Sequence, residues 1–232
     1  GSTYRGRRIG TVAADHPGGD VVAWSFHPRK VLTTGEGGAL TVSDGAFAAR
    51  LRTLRQHAMS VGSSERHATG ALVLPVYDEV GWNYRMTDVQ AAIGLVQLER
   101  LDAIIARRRA LALRYAELLA GVERLTLPRD PVWGTTNYQS YVVCLAAPSR
   151  NATLRQVRDA VLDALLRAEV GARPGIMAAH HERAWAKAQT APLPHSDRWA
   201  DGSIALPLFH TMGDDDQIAV ADRLVAAISR AV

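Results

Sequence analysis

The spacing of apolar residues in the first quarter of the chain predicts short strands followed by a helix. Alternation in residues 3–12 and the apolar run DVVAWSF at residues 20–26 indicate two strands, the second of them buried. A third strand is expected in residues 38–44, GALTVSD, directly after a cluster of glycines. Helical spacing begins at Asp44, a suitable N-cap, and continues through residues 45–58.

The longest helical pattern occupies residues 82–121. Thr87 and Gln90 have the spacing of a capping box, and Gly121 is a suitable end. The length of the pattern predicts either a bend or two helices in succession. The preceding residues, 60–81, are rich in small and polar side chains without a strong period, and they predict an excursion loop.

The pattern changes from about residue 125 to short mixed elements. Strands are expected in residues 138–146 and 203–209, and helices in residues 153–171 and 215–232. This is an α+β arrangement of its own size.

Composition places the 232-residue chain among ordinary globular proteins, with 47% hydrophobic and 22% charged residues. No apolar run reaches the roughly 18 to 20 residues that a membrane-spanning helix needs, and the amino terminus lacks the layout of a signal peptide. Cys144 is the only cysteine, so an internal disulfide and a cysteine-based metal cage are excluded. These features predict a cytoplasmic protein that has no membrane partner.

The kind of basic residue is more informative than the net charge of +4. The basic residues are scattered over several segments and not gathered in one arm, which argues against a nucleic-acid partner. Of the 27 lysine and arginine residues, only Lys30 and Lys187 are lysines. A lysine can lose its proton and attack a carbonyl, whereas arginine stays charged. Lys30 is therefore a candidate nucleophile, with an ordinary surface lysine as the alternative.

Two long motifs carry a resemblance to a known family. SFHPRKVLTTGEGGALTVSD and, further on, GWNYRMTDVQAAIGLVQLERLD resemble the paired signatures of the DegT/DnrJ/EryC1/StrS family of sugar aminotransferases, which use pyridoxal 5'-phosphate. GIMAAHHERAW and ALPLFHTMGDDD resemble later segments of that family. The resemblance implies an α/β protein of the PLP-dependent transferase fold type I. Residues 1–100 would be the remaining part of the large PLP-binding domain, and residues 101–232 the small carboxy-terminal α+β domain.

The resemblance also implies roles for individual residues. Lys30 matches the lysine that forms a Schiff base with the cofactor aldehyde and later moves a proton. Ser25 matches a serine that contacts the cofactor phosphate. Asn83 matches an asparagine that reaches the phosphate of the partner's cofactor, which implies a homodimer with shared active sites. Arg85 is a candidate to bind the anionic nucleotide-sugar substrate, and an ion pair within the fold is the alternative.

The histidines leave more alternatives open. His27 could contact substrate or cofactor, or it could be held by packing and local hydrogen bonds. His180 and His181 could line the substrate cleft. A metal site is not expected there, because no carboxylate or further histidine stands at a recognisable ligand spacing.

The implied reaction is transfer of an amino group, with glutamate as the donor, to a nucleotide-linked keto-sugar. A dehydrating relative would carry histidine in place of the lysine, so Lys30 argues against that reaction. A non-catalytic binding module of the same fold is the alternative from another class. The family's pyridine-nitrogen acid, ring-stacking aromatic and phosphate loop are expected upstream of Gly1, since Asp15 and Asp20 do not match that acid. The chain is therefore expected to be the carboxy-terminal part of a longer enzyme.

Overall fold

The computed structural model describes residues 1–11, 21–60, 72, 74–146, 152–185, 187–188 and 191–231. The chain forms two compact units, unit 1 with Gly1–Asp102 and unit 2 with Ala103–Val232. Asp15, Asp20 and part of the loop expected at residues 60–81 lie outside the described residues. None of the helices in the described part of the chain is both long and apolar enough to span a bilayer.

The start of unit 1 is a hairpin of two very short strands. Strands β1 (Thr3–Tyr4) and β2 (Arg7–Arg8) pair antiparallel, with Thr3 opposite Arg8. Arg5 and Gly6 between them have φ values of 47° and 78°, as a tight two-residue hairpin turn requires. The prediction of one strand over residues 3–12 was therefore wrong, because the chain reverses direction at residues 5 and 6.

The next two strands of unit 1 frame the lysine segment. Strand β3 (Val21–Ser25) pairs antiparallel with strand β4 (Gly38–Val42), from Val21 opposite Val42 to Ser25 opposite Gly38. Both strands were predicted. The expectation that the first is buried was wrong, since Val21 is 50% exposed. Within the described residues this sheet has only two strands, so little of the unit covers its faces.

Three helices follow at predicted places. Helix α1 (Gly45–Leu54) begins at Asp44, whose Oδ1 accepts a hydrogen bond from the Phe47 amide at 2.7 Å. The long helical pattern is two helices in succession, α2 (Asp88–Glu99) and α3 (Leu101–Leu118). Thr87 and Gln90 form the capping box of α2 as predicted.

The apolar stripe along this pattern is buried only in its second half. On α2, Val89 is 72% and Val96 54% exposed, whereas Leu111 and Tyr115 on α3 are buried. Periodicity therefore identified the helices correctly, but it could not tell which of them packs within its own unit.

Unit 2 contains a four-stranded antiparallel sheet in the order β5-β7-β9-β8. The described elements after residue 118 are β5 (Leu125–Thr126), β6 (Gly134–Thr135), β7 (Tyr141–Leu145), α4 (Leu154–Arg167), β8 (Arg173–Pro174), α5 (Pro194–Gly202), β9 (Ser203–Leu206) and α6 (Asp214–Ala231). The strands at β7 and β9 and the helices at α4 and α6 were predicted. The two-residue strands were not, because two residues cannot show a period. Helix α5 was not predicted either.

One apolar core holds unit 2 together. It contains residues of the two central strands and of helices α3, α4 and α6, with Tyr115, Tyr141, Val161, Ile204 and Leu224 fully buried. The edge strand β8 is held by its pairing with β9, with Pro174 opposite the buried Ile204, and His180 lies in the chain that follows β8.

Candidate active site

Lys30 lies in a bend between β3 and β4, in the loop where the sequence placed it. Its backbone N–H donates to the His27 carbonyl at 2.9 Å, and its side chain is half-buried. The neighbouring Leu32 and Thr34 are buried and hold the loop to its own unit. Among the described residues, no carboxylate forms an ion pair with the Lys30 amine. Its role as a nucleophile stays a prediction.

Ser25 and His27 stand where β3 ends. The Ser25 side chain is exposed, and among the described residues its hydroxyl accepts one long hydrogen bond, 3.5 Å, from the His27 amide. His27 Nδ1 accepts from the Arg29 amide at 3.2 Å, and His27 Nε2 lies 3.9 Å from a Glu36 carboxylate oxygen. Local hydrogen bonds thus hold His27, one of the two alternatives that the sequence left open. Contact of His27 with substrate stays a prediction.

The glycine cluster gives the loop a path that side chains would block. Gly35 and Gly37 have φ values of 81° and 151°. A Cβ atom on Gly37 would lie 2.7 Å from Thr34 Oγ1, closer than two such atoms can approach. Phe26 donates from its amide to the Gly37 carbonyl at 2.9 Å, which closes the base of the loop. Gly35 and Gly37 therefore allow a backbone path that other residues would not.

Asn83 and Arg85 lie on the segment that leads into α2. Backbone hydrogen bonds fix this segment to the end of α1. The Trp82 amide donates to the Leu54 carbonyl at 2.8 Å, and the Tyr84 amide donates to the Arg55 carbonyl at 2.9 Å. Arg85 Nε donates to Asn83 Oδ1 at 2.9 Å. With its oxygen engaged, Asn83 has its two amide N–H groups left to offer. Arg85 is exposed, its partner in this hydrogen bond is neutral, and no described carboxylate forms an ion pair with it; anion binding by Arg85 stays a prediction.

His180 lies in unit 2, on the short 3-10 turn Ala179–His181. His180 Nε2 is 2.6 Å and His181 Nε2 2.7 Å from the same Asp197 oxygen, Oδ1. Arg155 Nη2 lies 3.3 Å from the other ring nitrogen of His181. The hydrogen bond from His180, and then that from His181, lower the pKa of the Asp197 carboxyl. Asp197 thus fixes the orientation of both imidazoles.

Sequence reasoning missed Asp197, which lies 17 residues beyond His180. The two histidines and Asp197 present ligand-type atoms within 4.8 Å of one another. The nitrogen-to-oxygen distances of 2.6 and 2.7 Å are hydrogen-bond distances. Two ligands of one tetrahedral zinc ion stand about 3.3 Å apart. The arrangement in the structure is therefore a hydrogen-bonded cluster.

His180 also forms part of the wall of an open cleft in unit 2. The cleft has a volume of about 670 Å³, and its lining is mainly apolar: Val142, Gly175, Ile176, Met177, Ala178, Ala179, His180, His195, Ser196 and Trp199. His180 borders this cleft and His181 is not among the lining residues, so the expectation that both line the substrate cleft stays a prediction. What the cleft binds stays a prediction.

Comparison with known proteins decides the family. Residues 1–225 match the model of the DegT/DnrJ/EryC1/StrS aminotransferase family. The chain belongs to this family. Both sequence motifs, including the segments of Lys30 and Asn83, lie within the matched residues.

Individual relatives agree with the family match. The chain is 32% identical over 231 residues to GDP-perosamine synthase of Caulobacter vibrioides, covering 99% of this chain and 56% of that protein. The crystal structure of the aminotransferase TlmJ from Streptoalloteichus hindustanus superposes with a TM-score of 0.81 at 30% identity, over 99% of this chain and 56% of that one. The PLP form of a sugar aminotransferase described as putative, Spr1654 from Streptococcus pneumoniae, has a TM-score of 0.84 at 21% identity, over 100% of this chain and 56% of that one, and shows the fold alone. The α/β fold of the PLP-dependent aminotransferases is thereby confirmed, and the chain spans just over half the length of these relatives.

Proposed function

We propose that this protein transfers an amino group from glutamate to a nucleotide-linked keto-sugar, with pyridoxal 5'-phosphate as cofactor, in the synthesis of deoxyamino sugars. The observation that carries the proposal is the position of Lys30. In a family of aminotransferases, a half-buried amine without a carboxylate partner among the described residues follows an exposed serine hydroxyl at the end of a strand. Residues 1–100 would belong to the large cofactor-binding domain, and residues 101–232 to the small domain.

Side chains of unit 1 fit two groups of the cofactor, its aldehyde and its phosphate. Lys30 offers an amine for the aldehyde. Ser25 offers a hydroxyl, and Asn83 offers amide N–H groups, for the phosphate; the Asn83 oxygen is already engaged by Arg85. When bound, the pyridoxal ring supplies an electron sink for the substrate carbon that loses a proton.

The protein's own groups would then hold and move protons and charge. Lys30 Nζ, once unprotonated, can accept a proton and return it, which a guanidinium cannot do. The Arg85 guanidinium would bind the diphosphate of the nucleotide, since its neutral partner Asn83 leaves its charge unpaired. His27 and His180 would contact the substrate; the Asp197 carboxylate fixes the His180 ring.

A relative supports the proposed substrate class, and the exposure of Asn83 supports the proposed assembly. A relative that is 32% identical is named GDP-perosamine synthase, a name that contains a nucleotide, GDP, and a sugar. We propose by analogy a nucleotide-linked substrate here. Asn83 is exposed on its own unit, as a residue that serves the site of a second copy must be. The proposed active form is a homodimer.

The test traps the cofactor on lysine. The protein is incubated with pyridoxal 5'-phosphate, reduced with borohydride and digested, and the labelled lysine is identified by mass spectrometry. Lys30 and Lys187 are the two lysines of these 232 residues, so peptide mapping separates a label on one from a label on the other. We expect the label on Lys30, its loss in Lys30→Arg and its retention in Lys187→Arg.

The second arm measures amino transfer from glutamate to a nucleotide keto-sugar by the protein. Lys30→Arg keeps the positive charge but removes the deprotonatable amine, so turnover should be abolished. Labelling of Lys30 without any turnover would favour the binding-module alternative. Normal turnover by Lys30→Arg would refute the assignment.

A further inference from the structure

We propose that Gln90 is a positioning residue for the Lys30 loop, residues 26–38, in addition to its role in capping α2. One end of its side chain completes the capping box, and the other end holds a carbonyl of the glycine cluster. The proposal deepens the proposed function, because it rests on the assigned role of Lys30.

The two ends of the Gln90 amide have different partners. Gln90 Oε1 accepts a hydrogen bond from the Thr87 amide at 3.0 Å, as the capping box requires. Gln90 Nε2 donates to the Glu36 carbonyl at 2.9 Å, across 54 positions of sequence. The same carbonyl accepts from Thr34 Oγ1 at 2.9 Å. Both lone pairs of this one oxygen are therefore engaged, one by the helix and one by the loop itself.

Thr34 fits closely between the loop and the helix. It is 3% exposed. A Cβ atom on Gly94, one turn beyond Gln90 in α2, would lie 3.1 Å from Thr34 Cγ2, and one on Gly37 would lie 2.7 Å from Thr34 Oγ1. Glycine at both positions lets the helix, the threonine and the loop approach this closely. The Lys30 loop thus packs against the face of α2 that carries Gln90 and Gly94.

Hydrogen bonds connect this packed part of the loop to the chain on both sides of Lys30. The donors in three further hydrogen bonds are backbone amides. The Phe26 amide donates to the Gly37 carbonyl at 2.9 Å, and the Thr34 amide donates to the Phe26 carbonyl at 3.2 Å. The Lys30 amide donates to the His27 carbonyl at 2.9 Å. These hydrogen bonds join the chain before Lys30 to the chain after it, and the Gln90 side chain fixes the joined segment to α2. Asn83 and Arg85 lead into the same helix, so three proposed site residues share this anchor.

Gln90→Glu separates the two roles of the side chain. Glutamate is itself a capping-box residue, so the acceptor for the Thr87 amide is kept. The donor to the Glu36 carbonyl is lost, and an ionised oxygen replaces it. The chain offers a matched control: helix α4 has the same capping box, with Gln156 Oε1 accepting from the Thr153 amide at 2.8 Å. Gln156→Glu makes the same change in unit 2, on a helix that does not carry Gln90.

Hydrogen exchange of the backbone amides measures the effect without activity. We expect Gln90→Glu to speed exchange at Phe26 and Thr34 by about twofold to tenfold, the equivalent of one net hydrogen bond. Gln156→Glu should leave these amides unchanged. A protonated carboxyl can donate, so protection in Gln90→Glu should return as the pH falls below about 4. A purely structural capping role would show no such rescue.

The second readout is the share of cofactor trapped on Lys30 relative to Lys187. We expect this share to fall in Gln90→Glu and to hold in Gln156→Glu. Unchanged exchange at residues 26–37, or faster exchange with an unchanged Lys30 share, would overturn the proposal. If Gln90→Glu does not fold, Thr34→Val removes the other donor to the same carbonyl, and unchanged exchange in that variant counts equally against it. If wild-type Lys30 is not labelled at all, the proposed function fails, while the exchange data still decide whether Gln90 fixes the Lys30 loop.

Discussion

Gly175 stands at a point in unit 2 where the chain leaves β8 and passes close to the sheet. Its amide donates to the Ser203 carbonyl at 2.9 Å, and the Ile176 amide donates to Ser203 Oγ at 3.2 Å. A Cβ atom on Gly175 would lie 2.5 Å from Ser203 Oγ and 2.5 Å from Val142 Cγ1. Gly175→Ala should therefore destabilise the unit, although it adds a single methyl group.

The two side chains in the way cannot move cheaply. Ser203 is fully buried, and shifting its hydroxyl weakens the hydrogen bond from Ile176, worth about 1 kcal/mol. Val142 is β-branched and stiff on its strand. Overpacking of this kind costs about 1–3 kcal/mol. We expect a total loss of about 2–4 kcal/mol in the free energy of unfolding.

Gly171→Ala is the matched control, four positions earlier. A Cβ atom there meets nothing within 4 Å, and Gly171 does not have a positive φ. That substitution should be neutral or stabilising by up to about 1 kcal/mol, because it restricts the unfolded chain.

Urea unfolding followed by circular dichroism measures the difference. With a slope near 2 kcal/mol per molar, the midpoint of Gly175→Ala should fall by about 1–2 M. Equal midpoints for the two alanine variants would refute the steric reasoning. Recovery of the midpoint in Gly175→Ala with Val142→Ala would support it, since the double variant removes one of the two clashes.

Two further predictions test the histidine cluster and the shared site. Hydrogen bonds from His180 and then His181 lower the pKa of Asp197 in the folded state, so its contribution to stability is present above the unfolded value of about 3.9 and is lost as the pH falls through the folded value. The urea midpoint of the wild type should therefore drop more steeply below about pH 4 than that of Asp197→Asn, and parallel curves would contradict this. If Asn83 serves the partner's site, mixing Asn83→Ala and Lys30→Arg subunits should restore about a quarter of wild-type turnover, since half of the dimers are hybrids with one intact site. No recovery despite demonstrated subunit exchange would exclude shared sites.

The sequence by itself determined the local features of this protein. Asp44 and the Thr87–Gln90 pair fixed where α1 and α2 begin, because a cap and its helix lie within four residues of each other. Strands β3 and β4 and the loop with Lys30 were equally readable, since an apolar run, a glycine cluster and a second run follow in order. The family motifs lie in these same continuous segments.

Only the tertiary structure decided which distant groups meet. The Gln90 amide reaches Glu36 across 54 positions and the His180 ring reaches Asp197 across 17, and neither separation follows a helical or strand period. The apolar run of β3 predicted burial, but Val21 is half exposed because burial depends on what packs against a strand and not on the strand's own residues. Periodicity records the face of one element, whereas a site is made where faces of several elements come together.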